Sequence, residues 1–486
     1  MRPSLHFLEK DLIERIIAEA LDILATVGLE VQNDNAVTLL VDNGAGRDAS
    51  SGRITLPETL VMESVGKAPD GFKLYDVLGD ETHDLSGDTV HFTPGSSGIH
   101  VLDHATGEMR PAVTTDFVDF TKLVSRLDEI DAQSTSFISS DVPEPIQDSY
   151  RLFLCLSYCE KPVVTGAFTI ESYAVMRDMQ LAVRGSAEAL REKPLTVFSV
   201  CPTAPLKWSD VTAQNLLDCA ADSVPVEYIS MPLIGFMGPV TIVGSLVQHT
   251  AETLSGIVLS QLANPGTPVL YGGSPAAFDI RYETTPMGAI ETQMMDCAYS
   301  EIGKHLGLPT QAYISLSDAK ALDAQAGLES SMGATLAALS GINSVSGPGM
   351  LDFESCISPE KLVVDNEICG LVRRMVSGIE PRDDFPARPI FEEMLRDGHL
   401  LIADHTRKHL RAEHHFPGPV IARANLARWR DEGSTTLGER AHAEVEKHLA
   451  AFEQSRLDDE TKRELLSLMT HEAAKHGLDE LPEREA

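Results

Sequence analysis

Leu195-Thr196-Val197-Phe198-Ser199-Val200 is a short β-rich run closed by Cys201-Pro202. A helical stretch, Ser209 to Ser223, follows it, and then a second such run, Val226-Glu227-Tyr228-Ile229-Ser230-Met231, closed by Pro232. Strand, helix and strand again is the unit of a parallel sheet, because strands running the same way need a crossover between them. Outward from this unit the pattern repeats. Eight runs stand out: Val90 to Thr93, Ala132 to Ser139, Pro162 to Phe168, Leu195 to Val200, Val226 to Met231, Val269 to Tyr271, Gln311 to Leu316 and Ile342 to Val345. Helical spacing fills the gaps at Thr115 to Leu127, Ser149 to Tyr158, Ile170 to Val183, Ser209 to Ser223, Val247 to Leu262, Ile290 to Leu306 and Leu328 to Ser340, and Ser358 to Gly378 supplies the last helix. An open doubly wound sheet would carry a glycine-rich dinucleotide turn early, and neither GxGxxG nor GxxxxGK[ST] is present. The fold class expected is α/β, a (β/α)8 TIM barrel.

The barrel is expected over residues 90–380, with an N-terminal extension over 1–89 and a C-terminal helical tail over 381–486. In the extension, Leu12, Ile16, Ala20, Ile23, Leu24 and Val27 share one helical face that stops at Gly28. Leu56-Pro57-Glu58 opens a short helix, and the alternation around Lys73 to Asp76 reads as β-ribbon. The tail is charged, punctuated by Pro386, Pro389, Pro417, Pro419 and Gly433, and its Leu437 to Met469 stretch reads as a solvated helix pair.

Composition narrows the function classes. Of 486 residues, 43% are hydrophobic and 23% charged, the balance of a soluble globular protein. With 39 basic against 73 acidic residues, the net charge of -34 repels nucleic-acid phosphates and anionic membrane surfaces, so neither is an expected partner. The same field would draw in a cation, although solubility explains such an excess equally well. Charged Glu9-Lys10-Asp11 interrupts any secretory h-region, and no apolar stretch is long enough to span a bilayer. Seven cysteines without CxxC spacing fit free thiols in a reducing compartment; the chain is expected in the cytoplasm, as a homo-oligomer.

In such barrels the chemistry sits where the strands end. Those ends are rich in small residues: Gly95 and Ser96 after the first strand, Gly272, Gly273 and Ser274 after the sixth, Gly347 after the eighth. They either leave room for a broad planar group or serve tight βα turns. No GxSxG, no HExxH and no histidine cluster at metal spacing is present, so a hydrolytic or zinc mechanism is not expected and no metal ligands are assigned. What the strand ends offer are Phe168, Phe198, Tyr228, Met231, Phe236, Tyr271 and Tyr313, mixed with the carboxylates Asp318 and Glu227. Aromatic faces and a carboxylate attract a methylated ammonium without needing a hydrogen-bond donor on it. Asp318 directly follows the seventh strand; Glu227 lies within the fifth and points either inward or outward.

The stretches Gly235 to Leu246, Ala251 to Gly256, Gly266 to Gly273 and Asp318 to Gly327 resemble the trimethylamine methyltransferase superfamily, and the resemblance runs from about Leu8 to Gly378. It implies transfer of a methyl group from a small methylated amine to cobalt(I) of a corrinoid on a separate protein, with the amine as leaving group. The small residues at the strand ends would then face the corrinoid, and Asp318 and Glu227 would act on the substrate. No base or enzyme nucleophile is required, which agrees with the missing triad. Trimethylamine enzymes of the superfamily carry pyrrolysine and this sequence has none, which shifts the expected substrate to a quaternary amine such as a betaine. The eighth-strand segment, Asn343 to Asp352, lacks a histidine of some betaine-type members, so glycine betaine itself is not singled out. The competing readings are a non-catalytic methylammonium-binding barrel and a demethylase passing the methyl group directly to a folate.

Overall fold

Runs of β-branched and aromatic residues form eight short strands: β1 His91–Thr93, β2 Gln133–Ser134, β3 Val163–Thr165, β4 Thr196–Val200, β5 Val226–Tyr228, β6 Val269–Leu270, β7 Gln311–Tyr313 and β8 Ser344–Ser346. In this computed structural model, which describes residues 2–484, they close a ring. One parallel ladder runs β2-β3-β4-β5-β6 and another β7-β8-β1. The seams are closed by parallel bridges, Tyr271 with Thr310 and Gly98 with Phe137. The (β/α)8 barrel expected from the sequence is the fold of this chain.

The outer ring is α1 Thr114–Val124, α2 Gln147–Tyr158, α3 Ile170–Arg184, α4 Asp210–Ala221, α5 Ile242–Ala263, α6 Ile290–His305, α7 Ala324–Ser340 and α8 Pro359–Val376. Several start on a side-chain cap: Thr169, Ser209, Thr241, Asp323 and Ser358 each accept a hydrogen bond from an amide of the first turn, worth about 1 kcal/mol apiece. Helix α5 is buried nearly all round, because the N-terminal helix Lys10–Thr26 covers its outer face.

Alternation along the strands sorts the interior. Val164, Val197 and Leu270 point inward and form a separate apolar cluster with Leu74 and Leu85. Leu74 lies in the antiparallel ribbon Lys73–Tyr75 and Glu81–Asp84 and Leu85 directly follows it, so this ribbon plugs the N-terminal end of the barrel. Tyr75 N–H donates to the Pro194 carbonyl, and Arg184 reaches the Tyr75 and Asp76 carbonyls, so the plug is bolted to the β4 side. One step higher in the bore the inward residues become polar: Ser199, Glu227 and Tyr313.

The tail is less solvated than its composition suggests. Leu437–Ala450 packs on α8 and α1 through Ala441 and Val445, and Asp459–Lys475 packs on α2 and α3 through Leu465, Met469 and Ala473. Among the described residues, only the helices Arg388–Asp397, Asp404–Glu413 and Leu426–Asp431 bury no residue. No helix among the described residues is long and apolar enough to cross a membrane.

Candidate active site

A cavity of about 260 Å³ opens at the C-terminal mouth, on the barrel axis. Every strand end contributes to its wall: Ser96 and Ser97 after β1, Thr135 after β2, Thr165 to Phe168 at β3, Ser199 to Cys201 at β4, Ile229 and Met231 after β5, Ser274 after β6, Tyr313 on β7 and Glu354 beyond β8.

Two carboxyls, one in its wall and one beneath its floor, dominate the chemistry around it. In β5, Val226 and Tyr228 face the helices, so period-two alternation turns Glu227 into the bore. Its Oε1 accepts from Ser199 Oγ at 2.6 Å, while its buried Oε2 has no hydrogen-bond partner. Burial raises this acid to about 7, with the Ser199 hydrogen bond pulling the other way. Glu354 arrives from above. It ends a turn, Asp352-Phe353-Glu354, in which three successive non-glycine residues are left-handed, with φ of 49°, 55° and 66°. Left-handed backbone costs such residues about 1–2 kcal/mol each, a strain tolerated mainly where it positions something. The turn is clamped by Asp352 N–H on the Ala319 carbonyl and by Ser355 N–H on the Asp352 carbonyl. Glu354 Oε1 is buried and unpartnered, and burial, helped by the charge of Asp318, raises its acid to about 8.

Around these acids stand groups that supply no nucleophile. Burial and the same two glutamates push the Cys201 thiol up to about 12, so it stays protonated at neutral pH. Burial drives the Tyr313 hydroxyl well above its usual range; it lies 3.0 Å from Ser96 Oγ. Arg151 also lines the cavity and is 3% exposed. It donates to Ser97 Oγ at 3.1 Å and Asp148 Oδ1 at 2.9 Å, and its guanidinium lies 5.0 Å from the centre of the Phe168 ring. Phe168 itself is 57% exposed at the lip. The cavity therefore combines an acid, aromatic side chains and a paired cation in its lining, with no acid–base–nucleophile relay.

The family model described as trimethylamine methyltransferase matches residues 1–477. The chain belongs to that family. It is 29% identical to a trimethylamine methyltransferase of Methanosarcina barkeri over 96% of this chain and 95% of that one. It is 26% identical to a trimethylamine methyltransferase of Desulfitobacterium hafniense over 95% and 93%, and 28% identical to a glycine betaine methyltransferase of the same species over 98% of each. Among solved structures, the monomethylamine methyltransferase of Methanosarcina barkeri shares the fold, with a TM-score of 0.52, 11% identity and coverage of 93% and 89%.

In this trimethylamine methyltransferase family member, Ser96, Phe168, Met231, Ser274 and Tyr313 line the cavity, and Glu227 lies beneath its floor through Ser199. Other expected residues are elsewhere. Tyr228 donates to the Gly256 carbonyl and Ser260 Oγ of α5, Tyr271 donates to Thr250 Oγ1, and Phe198 packs edge-on against Tyr173 of α3. All three face the helices, because they occupy the outward parity of their strands. Phe236 is 63% exposed on the rim, stacked on Phe278.

Asp318 is also structural: its two oxygens accept from Met287 N–H at 3.0 Å and Gly288 N–H at 2.8 Å, tying down the loop before α6. Burial still raises it to about 6. The strand-end glycines do not hold the mouth open. A Cβ on Gly95 would strike Met350, on Gly272 the Gln311 side chain, on Gly273 His249 and on Gly347 Leu316. Their smallness is spent on close packing, so only Ser96 and Ser274 of that set face the cavity. Glu354 and Arg151 went unread in the sequence: Glu354 lies in the loop beyond the last strand, and Arg151 lies inside a helix whose periodicity reads as packing.

Proposed function

We propose that this chain is a methyltransferase that takes a methyl group from a betaine-like quaternary amine and delivers it to a corrinoid carried by a separate protein. The observation that carries the reading is a pair of under-bonded carboxyls, Glu354 in the wall of one small aromatic-edged cavity and Glu227 beneath its floor behind Ser199. A quaternary ammonium has no N–H to donate, so it is held by charge and ring faces, and it would return both acids to the carboxylate form. Arg151, which also lines the cavity, adds a buried cation paired with Asp148, and this favours a substrate bearing an acid group as well as the ammonium. The family's trimethylamine and betaine members support the same class of donor.

The residues fit an acceptor that comes from outside. A cavity of about 260 Å³ holds a small amine and leaves no room for a corrin. When docked, the reduced corrinoid supplies the nucleophile for the methyl carbon. The chain's own task is orientation and desolvation: the carboxylates fix the nitrogen, Tyr313 and Met231 exclude water, and the methyl group is left facing the open mouth. Around the mouth Phe168, Phe236, Ile280 and Tyr282 are exposed, an apolar rim suited to a docking protein. Free thiols at all seven cysteines fit a cytoplasmic setting.

The test is to mix the purified chain with reduced cobalamin and a panel of simple amines, tetramethylammonium and betaines, following the absorbance change of cobalamin methylation. Turnover with betaines above the other donors is expected. Tight binding of one amine with no turnover from any would replace this reading by a binding barrel. Activity on trimethylamine alone would overturn the substrate class.

A further inference from the structure

On the outer surface, away from the cavity, three side chains distant in sequence meet: His104, Glu360 and His442. His104 sits in the turn joining His100–Leu102 to Met109–Pro111, Glu360 in the first turn of α8, and His442 on the tail helix Leu437–Ala450. Glu360 is buried, whereas both imidazoles are partly exposed. Its Oε1 lies 2.9 Å from His442 Nδ1 and 3.9 Å from His104 Nδ1. One donor atom from each residue falls within 4.8 Å of the other two.

We infer that His104, Glu360 and His442 form a binding site for a borderline divalent metal of the zinc class. Two imidazoles and one carboxylate are the donor set such ions prefer, and the solvent-facing side leaves a position for water. A supporting carboxylate is in place: Glu446 Oε1 lies 3.7 Å from His442 Nε2, on the far side of the ring from the Nδ1 that faces Glu360. The two rings are stacked, 3.8 Å apart and 10° from parallel. A metal lies in the plane of each imidazole that binds it, so one ring must rotate on binding, and its partial exposure gives it the space.

Such an ion would join three parts of the chain. The hairpin carrying His104 pairs with Cys356–Ile357, and that strand pairs with Met350–Leu351 on the other side of the left-handed turn bearing Glu354. The metal would therefore brace the tail helix against the sheet that positions an acid of the cavity.

The experiment uses the full chain, stripped with chelator and titrated with zinc chloride alone in a calorimeter, with a thermal melt in parallel. One equivalent should bind at micromolar zinc or below, and the melting temperature should rise by at least about 2 °C. His104→Asn alters an exposed turn residue and His442→Asn a partly exposed one; each should weaken zinc binding at least tenfold while leaving the metal-free melt in place. Cobalt(II) should give a d–d spectrum that both variants lose. No zinc binding by the parent chain, or undiminished binding in the double variant, would overturn the site; the latter would place the metal on other histidines.

Discussion

The barrel mouth and the barrel wall both bury acids, and they treat them differently. In the wall, Glu252 accepts from Leu206 N–H, Gln248 and Ser230, Asp318 accepts from two backbone amides, and Asp365 is ion-paired with Lys361 at 2.5 Å. At the mouth, Glu227 and Glu354 each keep a buried oxygen with no partner. A buried polar atom without a partner costs roughly 1–3 kcal/mol, so a fold keeps one where something else will complete it. The contrast is one of degree: in the wall Asp365 Oδ1 and both oxygens of Asp296 on α6 also lack a hydrogen-bond partner, so an open oxygen marks an acid that awaits a ligand only where it also lies at the cavity.

The largest effect that tests this contrast lies in the wall. Lys361→Met strands Asp365 in the interior and should cost about 3–5 kcal/mol in denaturant unfolding; a loss within experimental error would mean that the pair is not what holds α8. At the mouth the expected sign reverses. Glu354 is neutral when folded up to about pH 8, against a reference near 4.5, so its contribution to stability is fully present below 4.5 and disappears as pH rises through 8. Glu354→Gln should therefore make the ligand-free protein more stable than the parent at pH 9, by a few kcal/mol at most. The same change should weaken quaternary-amine binding at least tenfold there, and the parent's own affinity should climb between pH 6 and 9 as both glutamates ionise. An affinity flat across that range would remove the two acids from the site.

Smaller effects follow from residues whose chemistry misled. Asp318→Asn turns an amide group toward the Met287 and Gly288 N–H groups and should cost about 1–2 kcal/mol, with amine affinity within twofold of the parent; a larger fall in affinity would return Asp318 to the site. Phe236→Ala should leave stability within about 0.5 kcal/mol and amine binding unchanged, while slowing methyl transfer to a protein-borne corrinoid. Unaltered transfer would show that the rim there is not the docking face.

The barrel was legible because its signal repeats: eight β-rich runs alternate with helical stretches, and each of the runs overlaps a strand of the closed ring. Within the site legibility followed parity. Once β5 is a barrel strand between α4 and α5, Tyr228 outward and Glu227 inward are one fact, yet the sequence alone does not say which parity faces the bore. Chemistry by residue type misread Tyr228 and Tyr271, since a phenol suits an ammonium pocket and a helix-facing hydrogen bond equally well. The glycines misled for a similar reason: Gly272 and Gly273 are small because Gln311 and His249 occupy the space beside them. Glu354 left no trace, because a left-handed turn of Asp, Phe and Glu has no glycine to mark it.

The ribbon that plugs the lower end of the bore constrains the order of events. With Leu74 and Leu85 seated against Val164, Val197 and Leu270, the lower end of the bore is filled, and on the proposed function the open mouth is the surface a protein-borne acceptor would cover. Substrate would then have to board before the acceptor docks, and demethylated product would leave only after it departs. Excess acceptor protein would then trap product inside and inhibit turnover, a kinetic signature that a barrel open at both ends would not show.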